Sequence, residues 1–198
     1  MDTHTQKQIT TWLLSACLLI FLMVIIGGIT RLTRSGLSMV EWHPISGIIP
    51  PLSDTDWQME FEKYQKFPEY KKLTQGMTLE QFKFIFFWEY IHRLIGRLLG
   101  IFFIIPFAYF FIKKKLDLPL IKKLLWMFVL GALQGLYGWY MVKSGLIDNP
   151  HVSHYRLAGH LIFAFGLMAY ILWTALDLNK DRFKRGSFYN CEKLRNIL

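Results

Sequence analysis

The stretch from Trp88 to Gly100 reads WEYIHRLIGRLLG and sets Glu89, His92, Arg93 and Arg97 in a run otherwise built of Phe, Ile, Leu and Trp. Taking an ionised side chain to mid-bilayer on a helix costs at least roughly 2.5 to 3.5 kcal/mol, so such residues normally face a bundle interior and pair there. On a helix Glu89, Arg93 and Arg97 fall at i, i+4 and i+8, a stripe on which a carboxylate meets guanidinium groups. His92, Gly96 and Gly100 form the neighbouring stripe. An imidazole above two glycines leaves backbone bare over two turns, which suits either a close-packed helix or a flat rigid ligand such as a porphyrin.

A second stretch, HVSHYRLAGHLIFAFG, repeats the arrangement with Arg156, His160 and Ala164 at i, i+4 and i+8. If the two helices run in the same direction, His92 and His160 lie at matching depth, the geometry for axial ligation of a haem iron. The plainer reading of each histidine is a core residue satisfied by an interhelical hydrogen bond. Zinc would need a third and fourth ligand at that depth, and none is evident. Glu89 is either a structural partner for Arg93 or a carboxylate beside a cofactor, accepting a proton or stabilising charge. Arg93 and Arg97 suit haem propionates, because guanidinium binds carboxylate in a bidentate fashion. Arg31 and Arg34 either snorkel to lipid phosphate or bind an acidic ligand edge. His4, His43, His151 and His154 read as solvated, with His154 the alternative to His160 because it stands near a helix start.

The elements that must position these residues are membrane spans. Of 198 residues, 53% are hydrophobic and 17% aromatic, and the apolar ones come in long blocks. Blocks of about 20 such residues cross a hydrocarbon core. Four spans are predicted, at about residues 10–28, 84–112, 120–142 and 155–176, giving an all-α membrane protein folded as a four-transmembrane-helix bundle. The net charge of +9 collects in Lys113 to Lys123 and in the tail from Lys180 onward. The positive-inside rule then puts both termini in the cytoplasm, so the charge records topology and calls for no nucleic acid partner. Cys17 and Cys191 leave the outward loops without a disulfide framework. The first apolar block lacks a small-residue cleavage pattern and is expected to stay as a helix that leaves the membrane at Gly27 and Gly28.

The outward loop, residues 31–80, is too long for a structureless connector. Pro50, Pro51 and Ser53 mark a helix entry, and Trp57, Phe61 and Tyr64 at i, i+4 and i+7 make the helix amphipathic. It is expected over the bundle mouth or in the interface, the alternative being an ordinary surface helix. Thr78 to Gln81 has the capping-box form, which starts the next helix and carries it to about Lys113, roughly 50 Å. Gly131, Gly135 and Gly138, with Gln134 between them, read as a close-packing face bearing one interhelical hydrogen-bond group. Residues 1–178 thus form one domain, and 179–198 a polar cytoplasmic tail.

The stretches GGITRLTRSGLSMVEWHPISGIIPP, FEKYQKFPEYK, MTLEQFKFIFFWEYIHRLIGRLLG, LQGLYGWYMVKSGL and VSHYRLAGHL resemble the haem A synthase family in its mitochondrial and proteobacterial form. The family's other form carries a cysteine pair in the first outward loop, which is absent here. The resemblance implies conversion of haem O to haem A for cytochrome oxidase, by successive hydroxylation of a ring methyl to a formyl group. It implies haem as the bound group (haem O as substrate, or haem b), His92 and His160 as axial iron ligands, and Glu89 of the E-x-x-H-R motif as the residue tied to oxidation. Family members have eight spans in two similar halves, so the chain resembles the N-terminal half, with a tail that has no counterpart. The implied partners are haem O, the lipid bilayer and an unidentified electron acceptor, together with haem O synthase, a separate C-terminal half or a second copy of the chain. The rival to catalysis is a non-catalytic bis-histidine haem module or an inactive fragment. No Arg- and Ser-rich transit segment is present, which favours the bacterial inner membrane over the mitochondrial one.

Overall fold

Every long apolar block forms a helix that runs further than its apolar residues do. The computed structural model describes residues 1–41, 46–146 and 152–179; His43, His151, Cys191 and the tail from Lys180 lie outside them. Six α-helices follow in chain order: α1 (Thr3–Leu32), α2 (Asp54–Gln65), α3 (Pro68–Leu73), α4 (Leu79–Ile112), α5 (Leu118–Gly145) and α6 (His154–Leu178), with a 3-10 turn at Ser46–Ile48. Helices α1, α4, α5 and α6 are long and apolar enough to cross a bilayer. α1 packs against both α4 and α6, and α5 packs against α6 and more thinly against α4. The four therefore form a ring in which α4 and α6 stand diagonally opposite.

Local signals start the helices where the sequence places them. Thr78 and Gln81 exchange side-chain and backbone hydrogen bonds in a capping box that opens α4, and Ser53 and Asp56 do the same for α2. The Asp117 carboxylate accepts from the Leu120 N–H at 3.0 Å and opens α5. α1 does not end at Gly27 and Gly28. It continues to Leu32, because Gly27 is needed for close approach to α4 rather than for a stop. The polar end of α1 is ordered by partners that hydropathy does not register: the Gln6 amide donates to the Leu178 carbonyl, and Asn179 Nδ2 donates to Thr10 Oγ1 at 2.7 Å. These bonds place the start of α1 beside the end of α6.

Pro106 interrupts the ladder of α4, since a proline has no N–H to donate to the carbonyl four residues back. That carbonyl belongs to Phe102, and the Trp12 indole of α1 donates to it at 3.2 Å. An open carbonyl in hydrocarbon would cost several kcal/mol.

Two apolar clusters hold the molecule. One fills the bundle end built from Ile9 to Ile20 of α1, Phe110 of α4, Leu120 to Met127 of α5 and Leu167 to Ala175 of α6. The other joins a cap, α2 and α3, to the first turns of α4 through Phe61, Tyr64, Phe82, Ile85 and Phe86. Trp57 meets Phe86 edge-on with ring centroids 5.1 Å apart. The amphipathic helix thus seats its apolar face on α4. Burying each such aromatic contributes about 1.5 to 3 kcal/mol, whereas the exposed Lys63–Glu41 pair at 2.8 Å is of the kind that adds less than about 1 kcal/mol. Apolar burial, not ion pairing, seats the cap.

Candidate functional site

Neither apolar cluster reaches into the layer between them, and that layer holds His92 and His160. His92, on α4, lies against Gly27 of α1, where an added Cβ would come within 3.2 Å of its Nε2. His160, on α6, lies over Gly138 of α5, where a Cβ would come within 3.0 Å of its Cε1. Each imidazole occupies a space that only a glycine on the neighbouring helix leaves open. α5 grips His160 twice more. The Tyr137 ring stacks on it, with centroids 5.9 Å apart and planes at 10°, and Gln134 Nε2 donates to the His160 carbonyl at 3.0 Å while lying 3.3 Å from its Nε2.

Two buried polar atoms in this group, His160 Nδ1 and Gln134 Oε1, have no hydrogen-bond partner among the described residues. Buried orphans of this kind call for an explanation, and a ligand is one. His92 and His160 stand on the diagonal helices α4 and α6. An open recess of about 470 Å³, lined by Leu133, Leu136, Tyr137, Trp139, Tyr140 and Phe163 and by neither histidine, meets the site only through Tyr137, which stacks on His160. Paired imidazoles and orphaned polar atoms fit a haem, whose iron His92 and His160 would hold.

Glu89 is 2% exposed and heavily engaged. Its Oε2 accepts from the Ser38 hydroxyl at 2.7 Å and from the Met39 N–H at 2.8 Å, and its Oε1 accepts from Arg93 at 2.5 Å. Arg93 also donates to the Met39 carbonyl at 3.0 Å and the Glu41 carbonyl at 3.4 Å. The expected Glu89–Arg93 pair is therefore present, and it also clamps residues 38–41 onto α4. Arg97 lines, with Arg93, Met39, Pro50, Met59 and Phe86, a cavity of about 310 Å³ between the segment after α1, α2 and α4.

The remaining arginines are not gathered around the histidines as a group. Arg31 is half-buried in the last turn of α1. Arg34 follows it in left-handed backbone (φ 54°), and its charge reaches Glu69. The Arg156 guanidinium lies 4.9 Å from the Tyr140 ring centroid. His154 is exposed at the first position of α6, which sets it apart from His160.

Sequence reasoning missed Ser38, Met39, Tyr137 and Glu69. It read Gly138 as a packing residue and Gln134 as an interhelical hydrogen-bond group; the structure has Gly138 under the His160 ring and Gln134 donating across to the His160 carbonyl. Glu69 lies on α3 in the cap and is 5% exposed. Burial, and then the Glu89 charge, push its carboxyl up to about 8, with the Tyr64 hydroxyl and Arg34 acting in the opposite sense. No periodic pattern marks it; its only signal is an acidic residue inside the FPEYK turn.

Residues 10–197 match the cytochrome oxidase assembly protein family, a match that includes the polar tail. The chain belongs to that family. Within it the chain is similar to the haem A synthase of Nitrosospira multiformis, 60% identical over 173 residues that make up 87% of this chain and 49% of that protein. The haem A synthase of Flavobacterium johnsoniae is 56% identical over 174 residues, 87% of this chain and 51% of its own. That of Paramagnetospirillum magneticum is 53% identical over 175 residues, 88% and 49% respectively. The chain spans about half the length of the curated relatives it matches. No solved structure matches it.

Proposed function

We propose that the chain is the haem-binding N-terminal half of a haem A synthase, taking haem O as substrate. The observation that carries this reading is the pair His92 and His160 on diagonal helices, each seated on a glycine of a neighbouring helix, Gly27 of α1 and Gly138 of α5. In this reading His92 and His160 hold the iron, and Gln134 and Tyr137 fix the plane of the His160 ring. Haem O would supply the ring methyl; its oxidation to a formyl group takes one oxygen atom from water and releases four protons and four electrons, the electrons passing to a membrane acceptor. Glu89 supplies a carboxylate fixed by Arg93, Ser38 and Met39, able to hold negative charge close to the iron-binding layer. Arg93 and Arg97, facing the cavity they line, are the cations for the propionates. The cap excludes water from above. The basic residues between α4 and α5 support a reading in which that end faces the cytoplasm and the cap lies on the outer face of a bacterial inner membrane. A separate C-terminal half, or a second copy of the chain, completes the enzyme.

One observation favours a non-catalytic bis-histidine haem module instead: Glu89, through Ser38 and Met39, and its partner Arg93, through the Met39 and Glu41 carbonyls, anchor the segment after α1. A single experiment separates the two. The chain is expressed in membranes supplied with haem O, with and without the C-terminal half of a relative, and the extracted haem is identified by chromatography and reduced spectrum. A haem A synthase half yields haem A, lost in Glu89→Gln while haem stays bound. A carrier retains haem O unconverted under both conditions. Retention of haem by both His92→Ala and His160→Ala would overturn either reading.

A further inference from the structure

The open recess that Tyr137 lines lies between α5 and Phe163 of α6, and its walls Leu133, Leu136 and Tyr140 are exposed apolar side chains. Two of its wall rings each carry a cation. Lys143 Nζ, in the last turn of α5, stands 4.8 Å from the Trp139 ring centroid, and the Arg156 guanidinium, in the first turn of α6, stands 4.9 Å from that of Tyr140. Among the described residues neither cation pairs with a carboxylate. A ring face holds a cation in place without neutralising it, so both keep their charge for a further partner. They also stand at the end of the bundle opposite Lys113 to Lys115. The positive-inside rule accounts for those lysines and gives no reason for cations at this end.

The dimensions match one leaflet. Lys143 and Leu133 are ten positions apart on α5, about 15 Å at the helical rise, and half of a hydrocarbon core is about 15 Å thick. With the cations at the level of the lipid phosphates, the recess runs down to mid-bilayer.

We propose that this recess binds one anionic phospholipid, with an acyl chain along Leu133, Leu136 and Phe163 and the headgroup phosphate bridging Arg156 and Lys143. Guanidinium offers paired donors to phosphate and ammonium a point charge. Basic pockets between membrane helices take anionic head groups by this chemistry. A zwitterionic lipid brings its own cation against the two and is the poorer fit. Tyr137 belongs to both sites, stacking on His160 and lining the recess, so the lipid is one side chain removed from the histidine layer. The site requires neither bound haem nor turnover, and it stands or falls separately from the haem A synthase reading.

The test is native mass spectrometry of the purified chain in detergent, titrated with phosphatidylglycerol or with phosphatidylcholine of the same acyl chains. One phosphatidylglycerol is expected to stay bound per chain, in preference to phosphatidylcholine. Lys143→Gln combined with Arg156→Gln is expected to weaken that retention about thirtyfold, each cation near a lipid surface contributing about fivefold. Lys113→Gln combined with Lys114→Gln removes the same charge at the far end and is expected to leave it unchanged. Leu136→Trp, which fills the groove and keeps both cations, is expected to lower it as well. Equal retention of the two lipids, a loss at Lys143 and Arg156 no greater than in the far-end control, or full retention in Leu136→Trp overturns the proposal. Release of the lipid on addition of the C-terminal half of a relative assigns the recess to a protein interface and overturns it too.

Discussion

Gly138 shows how one missing methyl group shapes the histidine site. Gly131 and Gly135 lie on the same helix, but a Cβ added at either meets nothing within 4 Å, whereas at Gly138 it would press on His160 at 3.0 Å. Gly138→Ala is therefore expected to displace the imidazole by a few tenths of an ångström and weaken haem retention by about tenfold, the lower end of what disturbing a ligand's support costs. Gly131→Ala is expected to leave it unchanged. Haem titration of the purified variants checks both. The sequence carried His92 and His160 plainly, because a titratable residue in an apolar run is conspicuous. It also carried the Glu89–Arg93 pair, which follows from helical spacing alone. Ser38, Met39 and Glu69 were hidden for a physical reason: Ser38 meets Glu89 across 51 positions of chain, and no local periodicity encodes a contact made by a folded-back segment.

At the scale of elements, both ends of α4 were legible and the full reach of α1 was not. The Thr78 capping box is written in four consecutive residues, while α1 meets Leu178 and Asn179 at its start and Trp88 and His92 of α4 near its end, contacts that no local pattern encodes. Pro106 is the sharpest case. Its place inside α4 is visible in the sequence, but the donor that repairs it comes from Trp12 on another helix. Trp12→Phe keeps the aromatic body against Phe103 and Phe110 and loses only the N–H. It is expected to lower stability by about 1 to 3 kcal/mol, the cost of an unsatisfied buried acceptor. In a Pro106→Ala background, where the backbone again supplies an N–H to Phe102, the same substitution should cost clearly less. A double-mutant cycle of denaturant unfolding in detergent checks the coupling.

Over the whole molecule, the two apolar clusters bracket a layer kept open by glycines and polar side chains, and this should divide the bundle dynamically. Hydrogen exchange without haem is expected to be slowest for Ile9 to Ile20 and Leu167 to Ala175, and faster for the α5 turns from Gly131 to Gly138. Haem addition should slow the second group and leave the first unchanged; equal protection in both before addition would contradict it. The general architecture was legible from hydropathy because four apolar blocks admit few arrangements. The diagonal placement of α4 and α6 was not, since which helices become neighbours is decided by shape at contacts such as Gly27 with His92.

The Trp12 repair also bears on how the chain is made. A ribosome delivers α1 to the bilayer before α4 is synthesised, so the indole is already in place when Phe102 and Pro106 enter hydrocarbon. α4 alone would carry an open carbonyl into lipid; beside α1 it does not. α1 thus works as an intramembrane chaperone for a later helix of the same chain, and the order of insertion is written into a single hydrogen bond.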